Sequence, residues 1–182
     1  MRWRVTLVLG VLAFVACATL LMAQGPAGPP KPGPEHKKLG YFVGKWNSEA
    51  DMKLSPFGPG GKFTGTDSCE WFAGGFSVVC HSEGKMPMNT SVKGLYFLSY
   101  DAGGKKYVYA EIDSLGETAI SYGTVEGDTW TWNGESKIQG TLTHMRFTLK
   151  QVSADAATYK FEMAAGDAPY ALVMEGKQAR SK

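Results

Sequence analysis

The sequence predicts an all-β protein: a single antiparallel up-and-down β-barrel of about ten strands with a short N-terminal helical plug. Turn signals rich in glycine and proline recur at short, even intervals after residue 55, and apolar and polar residues alternate between them. Glycine occurs 23 times and aromatic residues make up 12% of the chain, whereas long helical stretches of alanine, leucine and glutamate are missing. A regular meander of this length closes most easily into a barrel.

The N-terminal segment predicts export. Arg2 and Arg4 precede an almost unbroken apolar run that ends at Met22, and Ala23 follows as a small residue. This order is typical of a secretory signal peptide over residues 1–23. An uncleaved anchor is the alternative, because the run is about long enough to span a bilayer. Lipid attachment at Cys17 is disfavoured, because the residues after it stay apolar. We therefore expect a periplasmic or secreted protein without a stable membrane span after cleavage.

The remaining chain divides into a linker and one domain. Residues 24–34 are rich in proline and glycine, which predicts an extended, loose linker. Residues 35–182 form the predicted barrel domain, and residues 35–42 have room for one or two helical turns. Loss of Arg2 and Arg4 reduces the 19 basic residues to 17, equal to the 17 acidic residues. A neutral chain has no electrostatic footprint for nucleic acid.

Five turns define predicted hairpins, and in a hairpin opposite residues share a face of the sheet. The predicted opposite pairs are Trp71 with Val78, Phe97 with Ala110, Ala110 with Ser121, Ile112 with Ala119, Gly123 with Trp132, and Trp132 with Phe147. A slip of one residue at any turn would exchange the two faces. One apolar face nevertheless persists through all these strands, and we assign it to the interior.

Cys69 and Cys80 lie directly opposite each other across the Gly74-Gly75 turn. Opposite residues are within disulfide range, and an even number of cysteines in an exported domain favours a bridge. Two buried free thiols are the alternative.

The apolar face predicts a ligand cavity beside the small residues of the middle strands. Its candidate lining residues are Trp46, Trp71, Phe97, Ala110, Ile112, Ala119, Ser121, Trp130, Trp132, Phe147, Phe161 and Met174. Met86 and Met88 are a candidate portal, because methionine adapts to different ligands. The alternative is a filled barrel, in which Trp130 and Trp132 reach over the small residues Ala110, Ala119, Ser121 and Gly123.

No metal, cofactor or catalytic site is predicted. His81 and Glu83 share a face, but solvated surface residues explain them better than metal ligands. Glu111 and Asp113 form a carboxylate pair near Tyr109, and paired acids do general acid/base chemistry only when enclosed. The face assignment directs them outward. If inside and outside are reversed, this cluster, with Tyr107 and Arg146, instead lines a polar pocket.

Several motifs resemble known families. Gly44-Lys45-Trp46 resembles the first strand of the calycins, the lipocalins and fatty-acid-binding proteins, in which the tryptophan plugs the barrel floor. The segments PEHKKLGYFVGKW (34–46), CEWF (69–72), GFSVVC (75–80) and IDS (112–114) resemble the secreted bacterial family called domain of unknown function 1579. The resemblance covers nearly all of the mature chain and implies a β-barrel but no defined activity.

The function predicted from these features is the binding of a small apolar molecule outside the cytoplasm. A protein-interaction module with a filled barrel is the first alternative, and it would use the outer tyrosines Tyr96, Tyr100, Tyr107, Tyr109 and Tyr122. An uncharacterised enzyme is the second. An interior space of a few hundred Å3 would favour ligand binding.

Overall fold

The computed structural model describes residues 28–138 and 140–181. The predicted signal peptide, Cys17 and the first part of the linker lie outside these residues. The helix α1 (Pro34–Lys38) begins the ordered domain and runs into a 3-10 turn (Leu39–Phe42). Pro34 suits the first turn of α1, where its missing N–H costs no hydrogen bond. In the 3-10 turn Leu39 is fully buried, so this turn packs against the barrel, and the hydrogen bond from Tyr107 to Glu35 joins α1 to it.

Ten strands follow in one meander. They are β1 (Gly44–Met52), β2 (Gly61–Trp71), β3 (Ser77–Lys85), β4 (Ser91–Asp101), β5 (Lys106–Asp113), β6 (Thr118–Glu126), β7 (Thr129–Ile138), β8 (Thr141–Ser153), β9 (Ala156–Ala165) and β10 (Ala171–Arg180). Each strand pairs antiparallel with its neighbours in sequence, and β1 pairs with β10 to close the barrel. The fold class predicted from the sequence is thus confirmed.

The strand directions give the barrel two distinct ends. β1 starts directly after the plug, so the first residue of every odd-numbered strand and the last residue of every even-numbered strand lie at the plug end. The opposite end, here called the mouth end, is formed by the loops 53–60, 86–90, 114–117 and 166–170. Inner and outer side chains alternate along each strand between the two ends.

Most of the predicted strand registers are confirmed. Trp71 lies opposite Val78 in the β2–β3 hairpin, and Phe97 lies opposite Ala110 in the β4–β5 hairpin. Trp132 lies opposite both Gly123 of β6 and Phe147 of β8. The predicted disulfide is also present, since Cys69 and Cys80 are paired across β2 and β3 and bonded to each other.

The β5–β6 register is one residue away from the predicted one. Ala110 lies opposite Ile120 rather than Ser121, and Glu111 lies opposite Ala119. The cause is a loop of three residues, 114–116, whereas the predicted pairing requires a two-residue loop of Leu115 and Gly116. Asp113 Oδ1 accepts hydrogen bonds from the N–H groups of Leu115 and Glu117, both at 2.9 Å. Gly116 adopts a φ of 89°, which is the usual glycine position in a three-residue hairpin loop.

This slip reverses the predicted faces of β4 and β5. Phe97 and Ile112 lie on the outer surface and are 43% and 53% exposed, although the sequence analysis placed them inside. Tyr109 and Glu111, which were placed outside, point into the barrel. The inner faces of β6, β7 and β8 are as predicted.

Candidate functional site

The plug end of the barrel is filled. Phe42 and Trp130 are both buried, with ring centroids 5.0 Å apart, and Leu39 is fully buried beside them. Trp46 is 2% exposed and donates from Nε1 to the Phe42 carbonyl oxygen at 2.9 Å. Complete burial of such side chains contributes about 1.5–3 kcal/mol each. These residues form a solid floor.

Arg180, at the end of β10, ties the chain to this floor. Its guanidinium lies 4.3 Å from the centre of the Trp46 ring, donates to the carbonyl oxygens of Tyr41 and Val43, and pairs with Asp155 at 2.9 Å. Gly44 allows this approach, because a Cβ there would lie 2.4 Å from Arg180 Nη1. Its φ of 120° is also one that other residues rarely adopt.

A cavity of about 330 Å3 lies above the floor, inside the barrel. Most of its wall is apolar. The apolar and aromatic lining residues are Phe42, Phe63, Leu98, Ala119, Trp132, Met145, Phe147, Leu149, Tyr159, Phe161 and Met174. The polar lining residues are Ser48, Asp67, Ser82, Tyr96, Tyr109, Glu111, Ser121 and Gln178.

The polar part of the wall contains two carboxyl groups, which we call the acidic side. Asp67 comes from β2 and Glu111 from β5. Tyr96 of β4 and Tyr109 of β5 pack together, with ring centroids 5.3 Å apart. Tyr109 donates a short hydrogen bond to the Glu111 carboxylate. The hydroxyl of Tyr96 lies 3.7 Å from Cys69 Sγ. Burial raises the pKa of Tyr96 well above its usual range, and the nearby charges of Asp67 and Glu111 raise it further.

Burial weakens the ionised forms of both acids. It raises the pKa of Asp67 to about 6, against a smaller opposing effect of the Tyr96 hydroxyl. Burial also raises the pKa of Glu111, while the hydrogen bond from Tyr109 lowers it and the charges of Asp113 and Glu117 raise it. Burial raises the pKa of Tyr109 far above its usual range, so its hydroxyl stays protonated and remains a donor to Glu111.

The indole of Trp132 adds a donor without a partner. Trp132 is 3% exposed and lines the cavity, and its Nε1 makes no hydrogen bond to any residue that the structure describes. Its ring stacks on Trp130, with centroids 5.5 Å apart and planes at 11°. Buried donors of this kind normally find an acceptor. The Nε1 of Trp130, in the floor, also lacks a partner among the described residues, and Trp132 is the one of the two that lines the cavity.

Half of the predicted lining residues lie at the cavity. They are Ala119, Ser121, Trp132, Phe147, Phe161 and Met174. Trp46 and Trp130 are buried in the floor below it, and Trp71 lies at the plug end, 38% exposed. Phe97, Ala110 and Ile112 lie on the outer face because of the β5–β6 register. Trp132 packs over Gly123, where a Cβ would lie 2.7 Å from its Cδ1, and the cavity stays open beside Ala119 and Ser121.

The predicted portal is at the mouth end. Met86 and Met88 belong to the β3–β4 connection, around a 3-10 turn (Pro87–Asn89), and Met88 is 81% exposed. Neither residue lines the cavity. Their role as a portal stays a prediction.

The outer tyrosines assigned to protein interaction are mostly inside. Tyr107 is 3% exposed and donates to the Glu35 carboxylate at 2.5 Å, which links β5 to α1. Tyr100 packs against Tyr107, with ring centroids 5.0 Å apart. Tyr122 does lie outside and is 51% exposed. The alternative in which the inside and the outside are exchanged holds for Glu111, which lines the cavity. It does not hold for Arg146, which remains outside and pairs with Glu162 at 2.9 Å. The Asp113 carboxylate caps the 114–116 loop.

Asp67 is the main site residue that the sequence analysis missed. It alternates with Cys69 and Trp71 along β2, so the same period that placed these two residues inside also places Asp67 inside. A charged residue on an otherwise interior face was the available signal.

Within residues 28–138 and 140–181, no helix is long and apolar enough to cross a bilayer. The same residues contain no cluster of three or more histidine, cysteine or acidic side chains placed to hold a metal ion. His81 is exposed on the outer face, and its neighbour Glu83 pairs with Lys93 at 2.7 Å.

Comparison with known proteins places the chain in a family. The profile described as "Protein of unknown function (DUF1579)" matches residues 31–180. The chain belongs to this family. The family match confirms the resemblance inferred from the sequence motifs. The comparison with curated proteins found no match.

Two solved structures support the fold of this DUF1579 protein. Rv2717c from M. tuberculosis is 14% identical and superposes with a TM-score of 0.61, covering 84% of this chain and 100% of that one. The S-type phycobiliprotein lyase CPES from Guillardia theta is 13% identical, with a TM-score of 0.54, and covers 81% of this chain and 93% of that one. At such identities the likeness concerns the fold alone, a closed antiparallel β-barrel.

Proposed function

We propose that this DUF1579 protein binds a small, mainly apolar molecule inside its barrel and does so outside the cytoplasm. The observation that carries the proposal is the cavity of about 330 Å3 above a packed floor. This volume lies in the usual range for small-molecule sites, and such sites combine apolar walls with a few convergent polar groups. The aromatic wall formed by Trp132, Phe147 and Phe161 fits this description.

Export is the second part of the proposal. The Cys69–Cys80 bond supports it, because disulfides persist mainly in oxidising compartments. The apolar, basic-flanked segment 1–23 supports it from the sequence.

A blocking substitution tests the ligand site. Ala119 lines the cavity, whereas Ala110 lies one strand away on the outer face. We expect the wild-type protein to enhance the fluorescence of N-phenyl-1-naphthylamine, a neutral apolar dye. Ala119→Trp should reduce the dye affinity at least tenfold, because the added indole occupies the cavity. Ala110→Trp should leave the affinity unchanged within about twofold.

Circular dichroism of each variant separates blocking from misfolding. If Ala119→Trp does not fold, Ala119→Leu fills part of the same space with a smaller side chain. Equal dye binding by the wild type and a folded cavity variant would contradict the proposal. So would the absence of dye binding together with the absence of a co-purified small molecule in native mass spectrometry.

A further inference from the structure

The cavity's charges are unbalanced, and this imbalance restricts the chemistry of the ligand. The carboxyl groups of Asp67 and Glu111 both line the cavity, and no lysine, arginine or histidine does so in the described part of the chain. The tyrosine hydroxyls can donate hydrogen bonds into the cavity, but none of the described lining residues carries a positive charge.

Several carboxylates on the outer surface have a basic partner. Asp51 pairs with Lys62 at 2.6 Å, Glu83 with Lys93 at 2.7 Å, and Glu175 with Lys53 at 2.7 Å. Glu49 and Glu162 likewise have basic partners, Lys177 and Arg146. Asp67 and Glu111 have no such partner among the described lining residues, although burial raises the pKa of both and they have less access to water than an exposed carboxylate. A buried carboxylate without a cation is costly, and this cost is lowered by any cation that enters.

The neighbouring side chains suit a cation. Tyr96, Tyr109, Trp132 and Tyr159 present aromatic rings along the cavity wall, and such rings attract a cation at their faces. Each carboxylate has four lone-pair sites, and the hydroxyl of Tyr109 occupies one on Glu111. Acceptor sites therefore remain for the N–H groups of a ligand.

The indoles of Trp130 and Trp132 both have a buried Nε1–H without a partner among the described residues. Only Trp132 lines the cavity, where an acceptor atom of a bound molecule could satisfy its N–H group. This donor and the two acids are complementary to a molecule that carries both a basic group and a hydrogen-bond acceptor.

We infer that the ligand is a cationic amphiphile, an amine or amidine with an apolar body, whose basic group lies at the acidic side between Asp67 and Glu111. This inference rests on the proposed function, since it names the chemistry of the molecule bound in the same cavity. The apolar body lies against Phe147, Phe161 and Met174, on the opposite strands of the barrel.

The inference has a consequence for pH. A cation binds the ionised acids and competes with protons, so its affinity should rise as the pH passes upward through the pKa of Asp67, about 6. The titratable groups facing Asp67 are Tyr96 and Tyr109 from β4 and β5, Glu111 from β5 and Tyr159 from β9. The three tyrosines stay neutral over this range, because burial raises the pKa of each.

Three probes that share a naphthalene ring and differ in charge test the inference: 1-naphthylmethylamine, 1-naphthylmethanol and 1-naphthoate. Isothermal titration at pH 7.5 should show the amine binding at least tenfold more tightly than the alcohol, and the carboxylate binding least. The amine should lose at least tenfold in affinity between pH 7.5 and pH 5, while the alcohol stays within about twofold.

Paired variants assign the preference to the acidic side. Asp67→Asn with Glu111→Gln should reduce the preference for amine over alcohol at least tenfold and leave the alcohol's affinity within about twofold. Glu49→Gln is the matched control, because it removes one negative charge from the outer face of β1 next to cavity-lining Ser48. It should change neither affinity.

The outcomes separate this inference from the proposed function. Equal binding of amine and alcohol, or an amine preference that survives in the double variant, overturns the inference and leaves the cavity as a ligand site. Binding of N-phenyl-1-naphthylamine without binding of the amine has the same meaning. Absence of binding for all three probes and the dye overturns both proposals.

Discussion

Asp67 is the residue at which stability and binding are most clearly opposed. Its carboxyl is buried, lines the cavity, and lacks a basic partner among the described lining residues. A group with this environment weakens the fold at neutral pH, and proteins tend to keep such groups where they serve a site. The same reasoning applies to Glu111, although the hydrogen bond from Tyr109 offsets part of the cost.

Replacing Asp67 should therefore stabilise the protein at neutral pH. Its pKa is raised from 3.8 to about 6 in the folded state, so the folded form holds the proton more tightly than the unfolded form. Stability then falls as the pH rises from about 4 to about 6, and the deficit above pH 6 is about 3 kcal/mol. Asp67→Asn removes the charge with little change of shape. We expect it to match the wild type at pH 4 in thermal unfolding and to exceed it by about 1–3 kcal/mol at pH 7.5.

Asp51→Asn is the control, and its expected effect on stability at pH 7.5 has the opposite sign. The hydrogen bond with Lys62 lowers the pKa of the exposed Asp51 carboxyl. Its contribution to stability is present above the unfolded pKa and lost as the pH falls, so the variant should be slightly less stable than the wild type at pH 7.5. A destabilising Asp67→Asn at pH 7.5 would contradict the assigned burial of that carboxylate.

Among the elements, the β5–β6 hairpin decides which side chains reach the cavity. Its three-residue loop, capped by Asp113, sets the pairing of Glu111 with Ala119 and turns Tyr109 inward. A two-residue loop at the same place would be compatible with the predicted pairing of Ala110 with Ser121. The length of this loop, three residues rather than two, thus decides whether β5 presents an acidic or an aliphatic face to the cavity.

Two substitutions probe this hairpin. Gly116→Ala forces a residue with a Cβ into a φ of 89°, and Asp113→Ala removes the acceptor for two backbone N–H groups. Each should lower the free energy of unfolding by about 1–2 kcal/mol in urea titrations. Glu117→Ala, on the same loop, should cost about 0.5 kcal/mol or less, as surface substitutions usually do. Equal effects of all three would mean that the loop does not hold the register.

Most strand registers could be predicted from the sequence, and one could not. The registers of β2–β3, β4–β5, β6–β7 and β7–β8 follow from alternation and short turns, as does the pairing of Cys69 with Cys80. The β5–β6 register could not be predicted in this way, because the dipeptide Leu115-Gly116 fits a loop of two residues as well as a loop of three. Asp113, three residues before Gly116, was the signal for the longer loop.

For the whole molecule, the closed barrel could be predicted and the shape of its interior could not. Closure follows from ten consecutive antiparallel strands. The free space depends on where large side chains lie within the barrel. Trp130 packs downward on Phe42 and Trp132 stacks above it, so both indoles leave the upper part open. Such packing depends on rotamers and neighbours, which a linear pattern of residues does not specify.

The whole chain also allows one measurement of export and oxidation together. We expect protein recovered from the exporting host to begin at Gln24 and to lack free thiols. Intact mass spectrometry without reductant should give the mass of residues 24–182 less two hydrogens, because Cys69 and Cys80 are joined. Reduction and alkylation should then label two cysteines. A retained N-terminus, or a third labelled cysteine from Cys17, would contradict cleavage after Ala23.

The plug end receives both ends of the domain, since α1 starts there and β10 finishes there at Arg180. The loops of the mouth end lie at the other side of the barrel. This polarity matters for anyone who wishes to use the protein as a sensor. A fluorescent label, an affinity tag or a covalent attachment to a chip placed before Pro34 or after Arg180 is held away from the mouth end. Immobilised molecules would then share one orientation, with the mouth end directed towards the sample.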